Sequence, residues 1–148
     1  MKRLFLETAP RILLGIIFLL GAIDGFWFVF SGAHLIHPPT SDRGLAFEQA
    51  LKAVGFFWPF MKLVELTGAL CLLTNRAPAL GLALLAPIMA VVVLFHAVLN
   101  PQGIPMAALL IVCGVLLARA YAGRYASLFE RGAAEPRLAA GATRAPRR

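Results

Sequence analysis

Asp24, Lys62, Glu65 and His96 each lie inside, or at the edge of, an apolar stretch long enough to cross a bilayer. Ionisable groups in hydrocarbon are costly and are usually kept for function, so chemistry is sought at these four first. Lys62 and Glu65 are three residues apart, share one helix face and can pair. Asp24 and Glu65 on adjacent helices form a second pairing, in which like charges at close range would share a proton. His96 carries the one side-chain type that changes charge near neutrality. Carboxylate, ammonium and imidazole beside a lipid-accessible pocket suit the proton-coupled redox chemistry of a quinone. Its carbonyl oxygens need donors, and the quinol needs proton acceptors when it is oxidised. Glu65 and His96 are therefore the candidate proton-transfer residues. Asp24, Lys62, Trp58, Phe95 and Asn100 are the candidate walls of a polar and aromatic pocket. The competing reading is structural: the charges neutralise one another and pin helix register, with Lys62 snorkelling outward and His96 bonded to a backbone carbonyl.

The elements that position these residues are four apolar runs, at about residues 12–30, 56–73, 79–99 and 104–121. A helix rising about 1.5 Å per residue crosses a core about 30 Å thick in roughly 20 residues. Only 14% of the 148 residues are charged and mean hydropathy is +0.81, against about 25% charged in a soluble domain. The chain reads as an integral membrane protein with one small bundle and no second domain. Short connections make neighbouring spans antiparallel, which predicts an all-α, up-down-up-down four-helix transmembrane bundle.

Placement of the basic residues sets the expected orientation. Lys2, Arg3 and Arg11 precede the first run, and Arg76 lies between the second and third. Arg119, Arg124, Arg131, Arg137, Arg144, Arg147 and Arg148 follow the fourth, which makes eleven. Only Arg43 and Lys52 lie on the opposite side. That bias predicts both termini in the cytoplasm. The net charge of +7 thus reports topology and attraction to anionic lipid, not nucleic-acid binding. Lys2 and Arg3 before an apolar run, with Ser31-Gly32-Ala33 after it, also resemble a signal peptide. The run is long for that role, and an uncleaved span is expected. In this topology Asp24 lies about 18–20 Å up the first span. Lys62 and Glu65 lie about 5–15 Å below the outer surface, and His96 within about a turn of it. All four share the outer half of the membrane.

Between the first two runs, His37-Pro38-Pro39 stops any helix. Leu45, Phe47, Ala50, Leu51 and Val54 then put an apolar stripe on a short helix lying at the outer surface. Gly21 and Gly25 give the small-xxx-small spacing that admits a close helix neighbour. Pro87, inside the third run, predicts a bend. Phe26, Trp27, Phe28, Phe30, Phe56, Phe57, Trp58, Phe60 and Phe95 crowd the outer slab as an interface belt or as an aromatic wall for a ligand. Tyr121, Tyr125 and Phe129 are the expected opposite belt. Residues 130–148 hold almost nothing to bury and read as a disordered basic tail. Cys71 and Cys113 lack ligand spacing, which argues against an intrinsic Fe–S cluster, covalent haem or structural zinc. No reason brings their sulfurs together.

The stretch Met61-Lys62-Leu63-Val64-Glu65-Leu66-Thr67-Gly68-Ala69-Leu70-Cys71-Leu72-Leu73 resembles the second helix of the DoxX-like family of small four-helix membrane proteins. Leu84-Leu85-Ala86-Pro87-Ile88 through Leu94-Phe95-His96 is similar to its third helix, and Phe18-Leu19-Leu20-Gly21-Ala22-Ile23-Asp24 to its first. The resemblance covers about residues 10–129. It implies a multi-pass protein of the bacterial cytoplasmic (inner) membrane, with Glu65, Gly68, Pro87 and His96 at matching positions. Some members are subunits of a thiosulfate:quinone oxidoreductase, and others are linked to complexes handling thiol and oxidative stress. Asp24 departs from the pattern, where many relatives carry a lysine or amide, and an anion there speaks against a thiosulfate-like site.

Three functions follow as expectations. The first is a quinone-linked redox subunit. With no cofactor motif in the chain, electrons would pass directly between substrate and quinone or through a soluble redox partner. The second is a non-catalytic membrane partner or assembly protein. The third and weakest is small-solute or proton transport, for which four short helices leave little room unless a homo-oligomer supplies it.

Overall fold

A computed structural model describes residues 4–126, with side chains from Leu6 onward, and all regular structure among them is helical. In chain order these are α1 (Ala9–Ser31), α2 (Asp42–Ala53), α3 (Phe57–Leu73), α4 (Pro78–Leu94), α5 (Ile104–Ala120) and a short α6 (Ala122–Ala126). A π-helical turn, Leu4–Thr8, leads into α1, and a second, Phe95–Leu99, extends α4. The 3₁₀ turn Pro101–Gly103 leads into α5.

Proline and glycine set the boundaries. Pro10, Pro78 and Pro105 stand in the first turns of α1, α4 and α5, where the missing N–H breaks no hydrogen bond. Gly32, at φ 75°, ends α1 with its N–H on the Phe28 carbonyl. Gly55, at φ 81°, lets the chain turn by 98° between α2 and α3, a backbone conformation that side-chain-bearing residues resist. The short helix expected on the bundle end is thus present as α2, lying across the axis of α3. Pro87 does not interrupt α4, which continues as helix to Leu94.

α1 packs on α3 and α5, and α4 packs on α3 and α5, so the four long helices close a ring. Their register is antiparallel throughout. Gly15 faces Leu73 while Gly25 faces Lys62 across α1 and α3, and Gly114 faces Met89 across α5 and α4. The core between them is Leu14, Phe18, Ala69, Leu72, Leu85, Leu110 and Leu117. Ile16, Leu20, Leu63, Leu80, Val91, Ile111 and Val115 point outward, half exposed. An apolar exterior on this scale is covered by lipid in a stable protein.

Among the described residues, three helical stretches are long and apolar enough to cross a membrane: Leu6–Ser31, Pro78–Leu99 and Pro101–Ala120. α3, at 17 residues, passes only when joined to α2 across the 98° bend. The protein is a small, all-α, multi-pass integral membrane protein with three to four candidate spans.

Tyr121 is not part of an interface belt. It is only 1% exposed and belongs to the core cluster, while the Tyr125 hydroxyl donates to the Ala79 carbonyl at 2.5 Å. A tyrosine just past a span was expected to sit at the headgroups, but the ring closure of α5 on α1 buries it. Phe129 and the 130–148 tail lie outside the described residues.

Candidate functional site

A cavity of about 730 Å³ opens at the α2 end of the bundle. Its polar lining includes Lys62 and Glu65 from α3, His96 and Asn100 from the end of α4, Glu48 from α2, and Thr40 and Gln102 from the connecting segments. Trp58, Phe95, Phe47, Pro87 and Met106 supply apolar wall. Six of the seven residues singled out in the sequence therefore line one space: Lys62, Glu65, His96, Trp58, Phe95 and Asn100. Asp24 does not.

The ion pair forms as the spacing predicts. Lys62 Nζ donates to Glu65 Oε1 at 3.0 Å and to Oε2 at 2.9 Å. Both residues are buried, Lys62 at 8% and Glu65 at 4% exposure, so Lys62 does not snorkel. Two glycines of α1 make this burial sterically feasible. A Cβ on Gly25 would come within 2.3–2.5 Å of the Lys62 methylenes, and one on Gly21 would touch the Glu65 carboxylate at 3.4 Å. The small-xxx-small seam thus admits α3 as its neighbour and holds the ion pair in its notch. Lys62 Nζ also lies 4.9 Å from the centre of the Trp58 ring, a cation–π contact. The Trp58 indole N–H reaches the Gly25 carbonyl at 3.4 Å.

His96 sits in the π-helical turn, with its ring 5.1 Å from that of Phe95 and edge-on to it. The imidazole lies directly over Gly103, where a Cβ would fall 1.9 Å from Nδ1. Nδ1 is buried, and among the described residues no group hydrogen-bonds to it, a costly arrangement for a polar atom. The alternative in which His96 simply bonds a backbone carbonyl is not what Nδ1 does. Asn100 is 3% exposed and committed to the chain itself. Its Oδ1 accepts from Ser41 N–H and its Nδ2 donates to the Pro39 carbonyl, both at 3.2 Å. With the Ser41 hydroxyl donating to the Leu99 carbonyl, Asn100 straps the Pro38–Thr40 segment over the cavity.

Asp24 and Glu65 do not pair. The Asp24 carboxylate turns to the loop after α1, where Oδ1 accepts the N–H groups of Leu35 and Ile36 at 2.6 and 2.9 Å. Oδ2 lies 2.6 Å from His34 Nδ1. The other ring nitrogen of His34 is 2.8 Å from Lys52 Nζ, and Lys52 also reaches Glu48 at 3.3 Å. Lys52 Nζ stands over the Phe28 and Trp58 rings at 4.5 and 4.6 Å, and His34 stacks on Phe28 at 4.6 Å. A chain of four titratable groups, Asp24–His34–Lys52–Glu48, therefore runs along the rim to the cavity wall. Sequence reasoning missed its middle. Glu48 and Lys52 at i and i+4 on an amphipathic helix gave the one available signal, and nothing local ties His34 to Asp24.

Asp24 is thus a structural anchor for the loop, while Lys62, Glu65 and His96 are among the polar groups presented to the cavity. Among the described residues, no three His, Cys, Asp or Glu side chains gather to hold a metal ion, and Cys71 and Cys113 are free thiols. Neither family models, nor curated proteins, nor solved structures match the chain, so the likeness to DoxX-like helices rests on the motifs alone.

Proposed function

We propose that the α2-end cavity binds the head group of a lipid-soluble quinone and that the protein serves as a quinone-linked redox subunit of a bacterial inner membrane, both termini inside. One observation carries this reading: a cavity of about 730 Å³ in a membrane bundle combines apolar walls with a buried Lys62–Glu65 pair and an unsatisfied His96 Nδ1. Binding pockets of this size with few convergent polar groups are the usual form of small-ligand sites. Trp58 and Phe95 offer faces for a flat ring. Lys62 offers a donor for a carbonyl oxygen, and His96 offers a hydrogen-bonding nitrogen. Reduction of a quinone takes up two electrons and two protons. Glu65 and His96 would handle protons, and a soluble redox partner or a reduced substrate would supply the electrons.

A second reading is favoured by the ion pair itself. Lys62 and Glu65 satisfy one another, which suits a membrane partner or assembly protein whose charges only organise the bundle. Transport is weaker, since four short helices leave little room for an alternating-access pathway. Mass spectrometry of lipid-soluble ligands retained by gently purified protein separates the first two. Quinone held by wild type and lost in Glu65→Gln or His96→Ala supports the proposal. Well-folded protein that retains no quinone, even after quinone is added, removes it and leaves the partner role.

A further inference from the structure

α2 forms one wall of the cavity through Phe47, Glu48 and Leu51, and it is fastened at its two ends by different chemistry. At its N-terminal end the fastening has no titratable group. Ser41 caps the helix by accepting the Gly44 N–H at 3.1 Å and is tied to Asn100 and Leu99, while Phe47 packs on Phe95 at 5.9 Å. At its C-terminal end the fastening is Lys52, held by His34, by Glu48 and by the faces of Phe28 and Trp58.

The His34 hydrogen bonds fix one protonation pattern. Nδ1 faces the Asp24 carboxylate at 2.6 Å and must carry the proton there. Nε2 faces an ammonium at 2.8 Å and must accept from it. The neutral ring satisfies both partners. A second proton on His34 would go to Nε2, the atom against Lys52 Nζ. It would remove that acceptor and set two cations within contact distance. The charged and titratable groups facing this pair are Asp24 from α1, Glu48 from α2, and Lys62 from α3 on the Trp58 ring. The Asp24 carboxylate favours the imidazolium, so it is the Lys52 contact that gives way.

We infer that His34 is a proton-operated latch. Neutral, it holds the Lys52 end of α2 against the bundle. Protonated, it releases the Lys52 side chain from the Phe28 and Trp58 rings, which uncovers Trp58 and loosens α2 over the cavity, while the 98° turn at Gly55 keeps that end of α2 joined to α3. Imidazoles gain a proton between about pH 8 and pH 5, so acidification on the α2 side opens the site. That this regulates ligand entry rests on the cavity being the ligand site proposed above. The movement itself does not, and it is measured without any ligand.

Trp58, under the Lys52 ammonium and lining the cavity, reports the movement. The full chain carrying Trp27→Phe has Trp58 as its remaining indole, and acrylamide is a neutral quencher. Its collisional quenching of Trp58 in detergent is expected to rise about twofold between about pH 7.5 and 5.5, through the range where imidazoles titrate. Adding His34→Gln, which keeps an amide in place of the imidazole but does not titrate, is expected to flatten the response. Lys52→Met, which removes the repelled cation, is expected to do the same. Quenching that does not change with pH in the Trp27→Phe protein overturns the latch. So does a response that survives His34→Gln and disappears with His37→Gln or His96→Ala. Circular dichroism of each variant at both pH values separates latch release from unfolding.

Discussion

The molecule carries two acid–base networks a few residues apart, and they are built on opposite terms. The Lys62–Glu65 pair has two members on one helix, buried in a notch of α1 glycines. The Asp24–His34–Lys52–Glu48 chain has four members from α1, its following loop and α2, with side chains 15–30% exposed. The first needs no loop to exist, since both members stand on α3. The second exists only while the loop and α2 are docked, and it contains a histidine. Burial makes the first costly to break. Partial exposure leaves the second weaker in energy and responsive to protons.

The comparison breaks most sharply when one member of the buried pair is removed. Lys62→Met or Glu65→Leu alone leaves an unpaired buried charge and is expected to destabilise the folded protein by about 3–5 kcal/mol, read by thermal unfolding in detergent. The double variant should recover most of that loss, because an apolar pair of similar size replaces both charges. A loss in the double variant equal to the sum of the two single losses would mean that the charges do not act as a buried pair and that the contrast is wrong. On the rim, Asp24→Asn removes a charged acceptor of two backbone N–H groups and of His34. A smaller loss of about 1–2 kcal/mol is expected, together with faster amide exchange at Leu35 and Ile36. The smallest effect belongs to Glu48→Gln, which weakens a partly exposed i,i+4 helix pair worth about 0.5 kcal/mol. A loss there as large as that of Asp24→Asn would show that the rim chain acts as one unit.

The two networks also mark how far sequence reasoning reaches. Lys62 and Glu65 were readable because the helical repeat fixes i and i+3 on one face whatever the tertiary fold. His96 and Asn100 were placed near them by counting rise along antiparallel spans, and the cavity brings them there. The helix boundaries were close for the same reason: long apolar runs ended by Pro10, Gly32, Pro78 and Pro105 leave little freedom. Asp24 was grouped with Glu65 on depth alone, and depth does not say which way a side chain points around its helix. Its true partner, His34, lies in a loop whose path is set by Ser41 and Asn100, residues 59 apart in sequence. Tyr121 was misplaced because a tyrosine at a span's end fits both a headgroup and a closing core, and only helix packing decides between them.

The notch in α1 has a consequence for how this chain can vary. Positions 25 and 62 draw on a single shared volume, since the lysine methylenes occupy the place where any side chain at 25 would begin. A substitution at 25 is therefore closed to the chain until 62 has first been shortened, and once 25 has grown, a lysine at 62 cannot return. The two sites form a ratchet in which the order of change matters, and the glycine at 25 persists as long as the lysine at 62 does.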